Sequence, residues 1–515
     1  MEAVIRCWPA VKGETIPPEI YGHFSEHLGR CIYEGIWVGN SGNIPNQNGI
    51  RLDVLAALKQ LRVPVIRWPG GCFADDYHWR DGIGPIESRP QTVNLWWKQV
   101  EPNSFGTDEF LQFCEAVGAA PYICANLGSG SPREARDWVE YCNFTGDSTL
   151  AQLRAANGRK PPYQVKRWGI GNENWGCGGN FTGRDYAKEY MRFATYMRAI
   201  SPEIELLACG ASFGDYRNSV QNAWNREVCD ELRRVDLVNH ITLHRHFSRG
   251  QGESFSDAEY YALFADALSM ERDIALTDAV LRDCFPDRTV GIAVDEWGVW
   301  HPEAVPENGL EQPNTLRDAL MAATVLHVFN QWAQRVSMAN LAQTVNVLQC
   351  LAVTDRNKMF LTPTYYVFDM MRLHGGAKQI LFQTESPTYE ARPVGFDKKQ
   401  PVPYLDVSAS LSGKKVHLTV VNKSLTEAIE AKIEVREAVI ASVSGKMLHG
   451  EQPGETNSFK SPSRIASRRI RPTLSNEQPV QTFRRVRLPH LPSHSNSREE
   501  ATGAYAPYIY THACS

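Results

Sequence analysis

Residues 165–175 read VKRWGIGNENW, and residues 289–300 read TVGIAVDEWGVW. Each is a short β-rich run that ends in adjacent polar residues, Asn172–Glu173 in the first and Asp295–Glu296 in the second, with Gly and Trp close by. Similar runs occur at EIYGHF (19–24), VPVIRW (63–68), PYICANL (121–127), IELLACG (204–210), LVNHITLH (237–244) and RVSMANL (335–341). Helix-like stretches lie between most of them, among them RLDVLAALKQL, TDEFLQFCEAV, REARDWVEYC and GRDYAKEYMRFATYMRAI. In TLRDALMAATVLHVFNQWA, Leu316, Leu320, Ala323 and His327 recur at the three- and four-residue spacing of one helix face. Eight strands alternating with helices predict an α/β fold of the (β/α)8 TIM-barrel type. A doubly wound sheet is the alternative, but no GxGxxG follows the first strand, which weakens its dinucleotide-binding form.

The pattern changes after about residue 375. PYLDVSASLSGKKVHLTVVNKS and AIEAKIEVREAVIASVSGKML alternate apolar and polar residues around SG and NK turn signals. That period of two predicts a C-terminal antiparallel β-sandwich of jelly-roll type. The expected organisation is an N-terminal strand segment (1–18) joining the sandwich, a barrel (19–375), the sandwich (376–460) and an Arg-rich, poorly ordered tail (461–515). Residues 461–500 hold eight Arg and three acids with little apolar patterning. No internal repeat is visible.

Composition narrows the function classes. The 515 residues carry 54 basic and 58 acidic side chains, a net charge of -4, so no broad basic surface points to nucleic acid. Hydrophobic residues make up 43% and charged residues 22%, which is globular composition. No apolar run approaches the ~18 residues of a membrane span. The opening MEAVIRCWPAVKGETIPP lacks an apolar signal core, so a cytoplasmic address is expected. Twelve Cys are scattered without a CxxC pair, which predicts neither a zinc knuckle nor a disulfide framework. Those in PYICANLG and IELLACGAS read as small core residues.

In a barrel of this kind, polar residues at the C-terminal strand ends face the active site. They are Glu26 and Arg30 after strand one, Arg67 and Cys72 after two, Asn172 and Glu173 after four, and His244 and His246 on six. Strand seven adds Asp295, Glu296 and Trp297, and strand eight adds Gln343 and Asn346. Glycosidic cleavage needs one carboxylic acid to protonate the leaving oxygen and one carboxylate to attack or to activate water. Glu173 and Glu296, on strands that face each other, fit that need. Either could instead cap a helix or pair with an Arg. His244 and His246 share a strand face, yet no third ligand is signalled, so they are read as hydrogen-bonding groups rather than metal ligands. A Ser–His–Asp hydrolase lacks its GxSxG.

Taken together, YGHFSEHLGRCIYEGIW (21–37), VIRWPGGCFADDYHWRDGIGP (65–85), NLWWKQVEPNSFGTDEF (94–110), GNENWG (171–176), DEWGVW (295–300) and LAQTVNVL (341–348) resemble family 51 glycoside hydrolases, the intracellular α-L-arabinofuranosidases. The resemblance runs from about residue 21 to residue 422. It implies a retaining exo-enzyme that takes terminal non-reducing α-L-arabinofuranosyl residues from arabinan or arabinoxylan fragments, with no cofactor. It implies Glu173 as general acid/base, Glu296 as nucleophile, and a glycone pocket of Glu26, Arg67, Asn172, His244 and Gln343. Asn172 would bond the sugar 2-OH, and Trp97 would stack on the next sugar.

Three departures are visible. Cys72 stands where many relatives have Asn, with a thiol as the weaker hydrogen-bond partner. His246 stands where relatives often have Tyr, and both positions are expected to line the substrate pocket. After NSFKSP the chain no longer resembles the family's closing strands. The implied partners are arabinofuranosyl-containing oligosaccharides, with a homo-oligomer compatible with the sequence and neither nucleic acid nor membrane expected. An endo-glucanase, xylosidase or galactofuranosidase on the same barrel is an alternative, because fold does not fix substrate. A non-catalytic sugar-binding protein is another, although binding alone does not need two opposed carboxylates.

Overall fold

The computed structural model describes residues 1–40, 42–213, 220–470, 474–475, 482–488 and 509–514. Eight parallel strands close a barrel in chain order: β1 (Gly22–Phe24), β2 (Val65–Trp68), β3 (Ala120–Ala125), β4 (Arg167–Ile170), β5 (Glu205–Ala208), β6 (His240–Phe247), β7 (Gly291–Val299) and β8 (Val336–Ala342). A helix follows each strand, from Leu52–Leu61 after β1 to Pro363–Met371 after β8. The helices start where hydroxyl caps stop the chain from extending. Ser131, Ser148, Thr182 and Ser256 each accept a hydrogen bond from the backbone N–H three residues on. Inside the barrel, Val65, Tyr122, Leu207, Ala293 and Met338 form a buried plug, so the lumen is a packed core below the catalytic end.

Strand β7 carries an irregularity that positions the site. Its partners on β6 run from Thr242 opposite Ala293 to His244 opposite Glu296. Those on β8 run from Ala339 opposite Val294 to Leu341 opposite Trp297. Seen from both neighbours, β7 advances three residues where its partner advances two. One residue is therefore extra, and the strict in/out alternation is broken around Asp295 and Glu296. Beyond the bulge, Trp297 turns outward and packs its ring against Phe329 and Phe368.

The second unit is a largely antiparallel ten-stranded sheet. The N-terminal strand Glu2–Thr15 lies within it, antiparallel to Lys378–Glu385 and parallel to Ile429–Val435. That parallel pair is a departure from the all-antiparallel expectation. Alternate residues of several strands (Ile5, Val407, Leu418 and Ile433 among them) meet in one apolar core, so the sheet folds over its own inner face. The Arg-rich stretch supplies four strands, Arg468–Ile470, Leu474–Ser475, Thr482–Leu488 and Ile509–Cys514. In TFRRVRL the Arg residues obscured a strand to a reading based on apolar patterning. Residues 489–508 of that stretch lie outside the described residues. Barrel and sheet meet through polar pairs, His327 Nδ1 with Asp406 Oδ2 at 3.0 Å and Asn330 Nδ2 donating to Ser408 Oγ at 3.1 Å. Among the described residues, no helix is long and apolar enough to cross a membrane.

Candidate active site

The catalytic end of the barrel centres on His244, in the C-terminal half of β6. Its Nδ1 lies 2.9 Å from Glu173 Oε1 and 3.7 Å from Glu296 Oε2, and its Nε2 lies 3.1 Å from Asp295 Oδ1. Both ring nitrogens thus face carboxylates, which calls for a proton on each. Burial opposes that charge, but Glu296, Asp295 and Glu173 outweigh it and push the His244 pKa up to about 10. The effect is mutual. Burial works against an ionised Glu296, yet His244, His246 and Arg67 hold its carboxyl well below the usual carboxylate range. Asp295 is likewise held low, against burial, by Arg67, His244 and the Tyr122 hydroxyl, which donates to Asp295 Oδ2 at 2.7 Å.

Arg67, at the end of β2, ties this group to β4. Its Nη1 donates to the Asp295 carbonyl at 3.0 Å and to Glu296 Oε2 at 3.1 Å, and its Nη2 donates to Asn172 Oδ1. With its oxygen so held, Asn172 turns its amide N–H groups towards the cleft. Glu173 follows with a φ of 44°, a left-handed conformation rarely adopted by a side chain of this kind. Gly171 precedes it at φ 82°, where a Cβ would meet Asn174 Oδ1 at 2.1 Å. The loop is fastened from outside by Asp75, which is buried. Its carboxylate accepts from Asn172 N (2.7 Å), Asn174 Nδ2 (3.0 Å), and Leu127 N and Gly128 N (2.8 Å each). Burial pushes the Asp75 pKa up to about 7 despite these four donors.

Another buried carboxylate, Glu26, faces the cleft from the end of β1. Its Oε1 accepts from the Trp97 indole (3.1 Å) and Phe73 N (3.3 Å), and its Oε2 accepts from Gln343 Nε2 (3.0 Å). Burial, and then the charge of Glu296, raise its pKa to about 7. Gln343 Oε1 is buried without a partner among the described residues, an acceptor available to a ligand hydroxyl. Between these groups lies Gly71. A Cβ there would stand 3.2 Å from Glu296 Oε2, 3.5 Å from Asn172 Nδ2 and 3.6 Å from Glu26 Oε1. Glycine leaves open the volume that Glu26, Asn172 and Glu296 surround. His246 closes one side, with Nε2 3.1 Å from Glu296 Oε1 and its ring edge-on to Trp300.

The structure therefore brings together Glu26, Arg67, Asn172, Glu173, His244, His246, Glu296 and Gln343. Trp97 belongs with them through Glu26. Arg30 and Asn346 stand apart: Arg30 pairs with Glu311 at 2.6 Å, and Asn346 bonds the Arg30 carbonyl and Thr354. Cys72 requires a correction. It is not a free thiol lining the pocket, because it is bonded to Cys177, and the expectation of no disulfide fails at this pair. The two lie 105 residues apart and meet only because the β2 and β4 loops share one end of the barrel. Other cysteines are buried in the core, Cys124 and Cys209 among them. Sequence reasoning also missed Asp75 and Tyr122. The doubled acid of FADDYHW and a Tyr pointing inward from mid-strand were the available signals.

A family profile described as "Alpha-L-arabinofuranosidase 1 domain" matches residues 57–249, and one described as "Alpha-L-arabinofuranosidase C-terminal domain" matches residues 295–486. The chain is 41% identical to an intracellular exo-alpha-L-arabinofuranosidase of Bacteroides ovatus, over 87% of each chain. It is 36% identical to alpha-L-arabinofuranosidase C of Emericella nidulans, over 86% of this chain and 88% of that one. Among solved structures it is similar to the GH51 arabinofuranosidase of Xanthomonas axonopodis pv. citri, with a TM-score of 0.88 and 33% identity over the full length of both chains. An arabinose complex of the Thermotoga maritima alpha-L-arabinofuranosidase superposes with a TM-score of 0.85 at 34% identity, again over both full chains.

Proposed function

The chain belongs to glycoside hydrolase family 51, the α-L-arabinofuranosidases, and from that premise we propose a reaction and a role for each residue of the cleft. It is a retaining exo-glycosidase that removes terminal non-reducing α-L-arabinofuranosyl residues from arabinan and arabinoxylan oligosaccharides. The observation that carries the retaining reading is the closeness of the two glutamates. Glu173, His244 and Glu296 present donor oxygens and nitrogen that all lie within 4.8 Å of one another. An inverting pair is spaced ~6.5–9.5 Å apart to admit a water, whereas a retaining pair stands at ~5–5.5 Å.

Glu296 is the nucleophile. His244, His246 and Arg67 keep it ionised and aimed into the cleft, so it attacks the anomeric carbon as the glycosidic bond breaks. Glu173 is the acid/base. Its Oε1 accepts from His244 Nδ1, and its other oxygen carries the proton that passes to the leaving oxygen in the first step. In the second step Glu173 takes a proton from water as that water attacks the arabinosyl–Glu296 ester. Asn172, its oxygen fixed by Arg67, donates to the sugar 2-OH. Glu26 and Gln343 hold the hydroxyls at the closed end of the pocket, and Trp97 frames it. The setting is inside the cell, in line with the Bacteroides relative's description as intracellular.

The test is the anomer first released from an aryl α-L-arabinofuranoside, followed by proton NMR, with arabinopyranosides, xylosides and galactofuranosides run in parallel. α-Arabinofuranose should appear first, and the furanoside should be preferred. Initial release of the β-anomer, or preference for another glycone, overturns the reading.

A further inference from the structure

The loop that carries Glu173 is held to its neighbours at two points. Near Glu173 the hold is the Asp75 carboxylate, which fixes Asn172 N and Asn174 Nδ2. At the far end it is covalent, the bond from Cys177 to Cys72. Both anchors come from one short turn, Cys72–Asp76, just beyond Gly71. Glu173 lies between the two ties. Its Oε1 is occupied by His244, and its Oε2 is 4.0 Å from Cys177 Sγ. The same sulfur is 3.9 Å from Asn172 Nδ2. The disulfide therefore touches both the acid/base and the amide assigned to the 2-OH. Neither cysteine is fully buried, whereas Cys124 and Cys209 are.

We propose that the Cys72–Cys177 bond is a redox-sensitive positioning element for Glu173, such that its reduction by a dithiol selectively slows cleavage of substrates with poor leaving groups. The proposal rests on the reading of Glu173 as acid/base. In the step itself, one thiolate of the dithiol attacks a sulfur of the pair and forms a mixed disulfide. Its second thiol then closes the ring, so the S–S bond is replaced by two cysteine thiols and the dithiol leaves oxidised, with two electrons and two protons transferred. Reduction has two consequences at Glu173. The far tie of its loop is released while Asp75 keeps the near one, so the loop stays folded but the carboxyl is less well aimed. The new Sγ–H of Cys177 also becomes a donor beside Oε2. That stabilises the carboxylate form and works against protonation of the leaving oxygen. An intracellular setting is reducing, and a functional disulfide there is typically transient or redox-sensing rather than structural.

The experiment compares the full-length enzyme air-oxidised, reduced with dithiothreitol, and reoxidised, using an α-1,5-linked arabinobioside and a dinitrophenyl α-L-arabinofuranoside. Native alkylation and mass spectrometry report the state of the pair. Reduction should expose two new thiols, at Cys72 and Cys177, and lower kcat/KM on the arabinobioside by roughly tenfold, the scale of a small misalignment. The activated substrate should lose less than about twofold, since its leaving group needs little protonation. Cys177→Ser should reproduce the split and be insensitive to reductant, and reoxidation should restore the wild type. Three results overturn the proposal: free thiols at both positions in the oxidised enzyme, unchanged kinetics on reduction, or equal losses on both substrates with a fall in Tm. Glu173→Ala is the control for the underlying reading. If it shows the substrate split and reduction does not, the acid/base role stands and the redox proposal falls; if it shows no split, the acid/base reading itself falls.

Discussion

Asp295 and Glu296 are neighbours in the chain, yet both carboxylates reach one imidazole, Asp295 3.1 Å from His244 Nε2 and Glu296 3.7 Å from Nδ1. In a regular strand adjacent side chains point to opposite faces, and only one of the two could do so. The extra residue in β7 turns both towards the barrel axis. The division of labour follows from what else each one meets. Asp295 is enclosed by Arg67, Tyr122 and His244 and holds the base of the cluster, whereas Glu296 faces the open volume beside Gly71.

Glu296→Ala removes the group that forms the covalent intermediate. Turnover should fall by roughly 10⁴-fold or more on all substrates, as for the loss of a nucleophile elsewhere. Azide can enter the vacated space and should restore part of the rate on an aryl substrate, giving an arabinosyl azide of inverted configuration. Steady-state kinetics and NMR of the product check both parts. Substantial activity without azide excludes the nucleophile role.

Glu173→Ala should separate substrates by leaving group. General acid catalysis contributes about 10²–10⁴-fold, and that loss should fall on natural oligosaccharides. A nitrophenyl substrate should keep much of its first step and accumulate the glycosyl-enzyme, because the attacking water lacks its base. Burst kinetics and intact-protein mass spectrometry would reveal the accumulation. Equal losses across leaving groups exclude the acid/base role.

The barrel strands were legible because each is a local apolar run, and the end of a strand is where its polar residues begin. That position listed Glu26, Arg67, Glu173 and Glu296, but also Arg30 and Asn346, which stand apart; roles for Glu26 and Arg67 came only with the family resemblance. The pattern failed where contacts are distant or where alternation breaks. No spacing rule joins Cys72 to Cys177 across 105 residues. Asp75 acts through donors on two other loops, which no local window contains. Asp295 was listed at the strand end but given no role, because nothing local shows that it shares His244 with Glu296. In the Arg-rich stretch, charge at β positions read as disorder, although Thr482–Leu488 pairs with Ile429–Val435.

Gly71→Ala tests the open volume directly. The added methyl would sit 3.2 Å from Glu296 Oε2 and 3.5 Å from Asn172 Nδ2, in the space assigned to the sugar. The fold should survive with a similar Tm, while kcat/KM drops by roughly 10²-fold, the cost of a displacement near 1 Å at the reacting atoms. Wild-type kinetics in this variant would place the glycone elsewhere.

Tyr122→Phe deletes the hydroxyl that donates to Asp295 at 2.7 Å from inside the barrel plug. A hydrogen bond to a charged group contributes about 1.5–3 kcal/mol, so chemical denaturation should show a loss of that order. With one donor fewer, Asp295 becomes easier to protonate. Its hold on His244 weakens, and kcat should fall more than KM rises. A loss of stability with unchanged kinetics would confine Tyr122 to the core.

His244 governs the alkaline side of the stability profile. In the folded chain burial lowers its pKa, but Glu296, Asp295 and Glu173 more than reverse this and set it at about 10, against an unfolded value of about 6.5. Below pH ~6.5 both states hold the proton and the imidazolium's contribution is fully present. Between ~6.5 and about 10 the folded state binds a proton that the unfolded state has lost, so stability declines as pH rises. Above that range the contribution is gone. Thermal unfolding at stepped pH should therefore show Tm falling through this window in the wild type, with a flatter profile in His244→Gln. Glu296→Gln removes the first of the carboxylates that raise the imidazole, so NMR titration should find the His244 pKa below about 10 in that variant. An unchanged His244 titration in Glu296→Gln, or a wild-type slope in His244→Gln, would show that the charge of this imidazole is not set by the carboxylates around it.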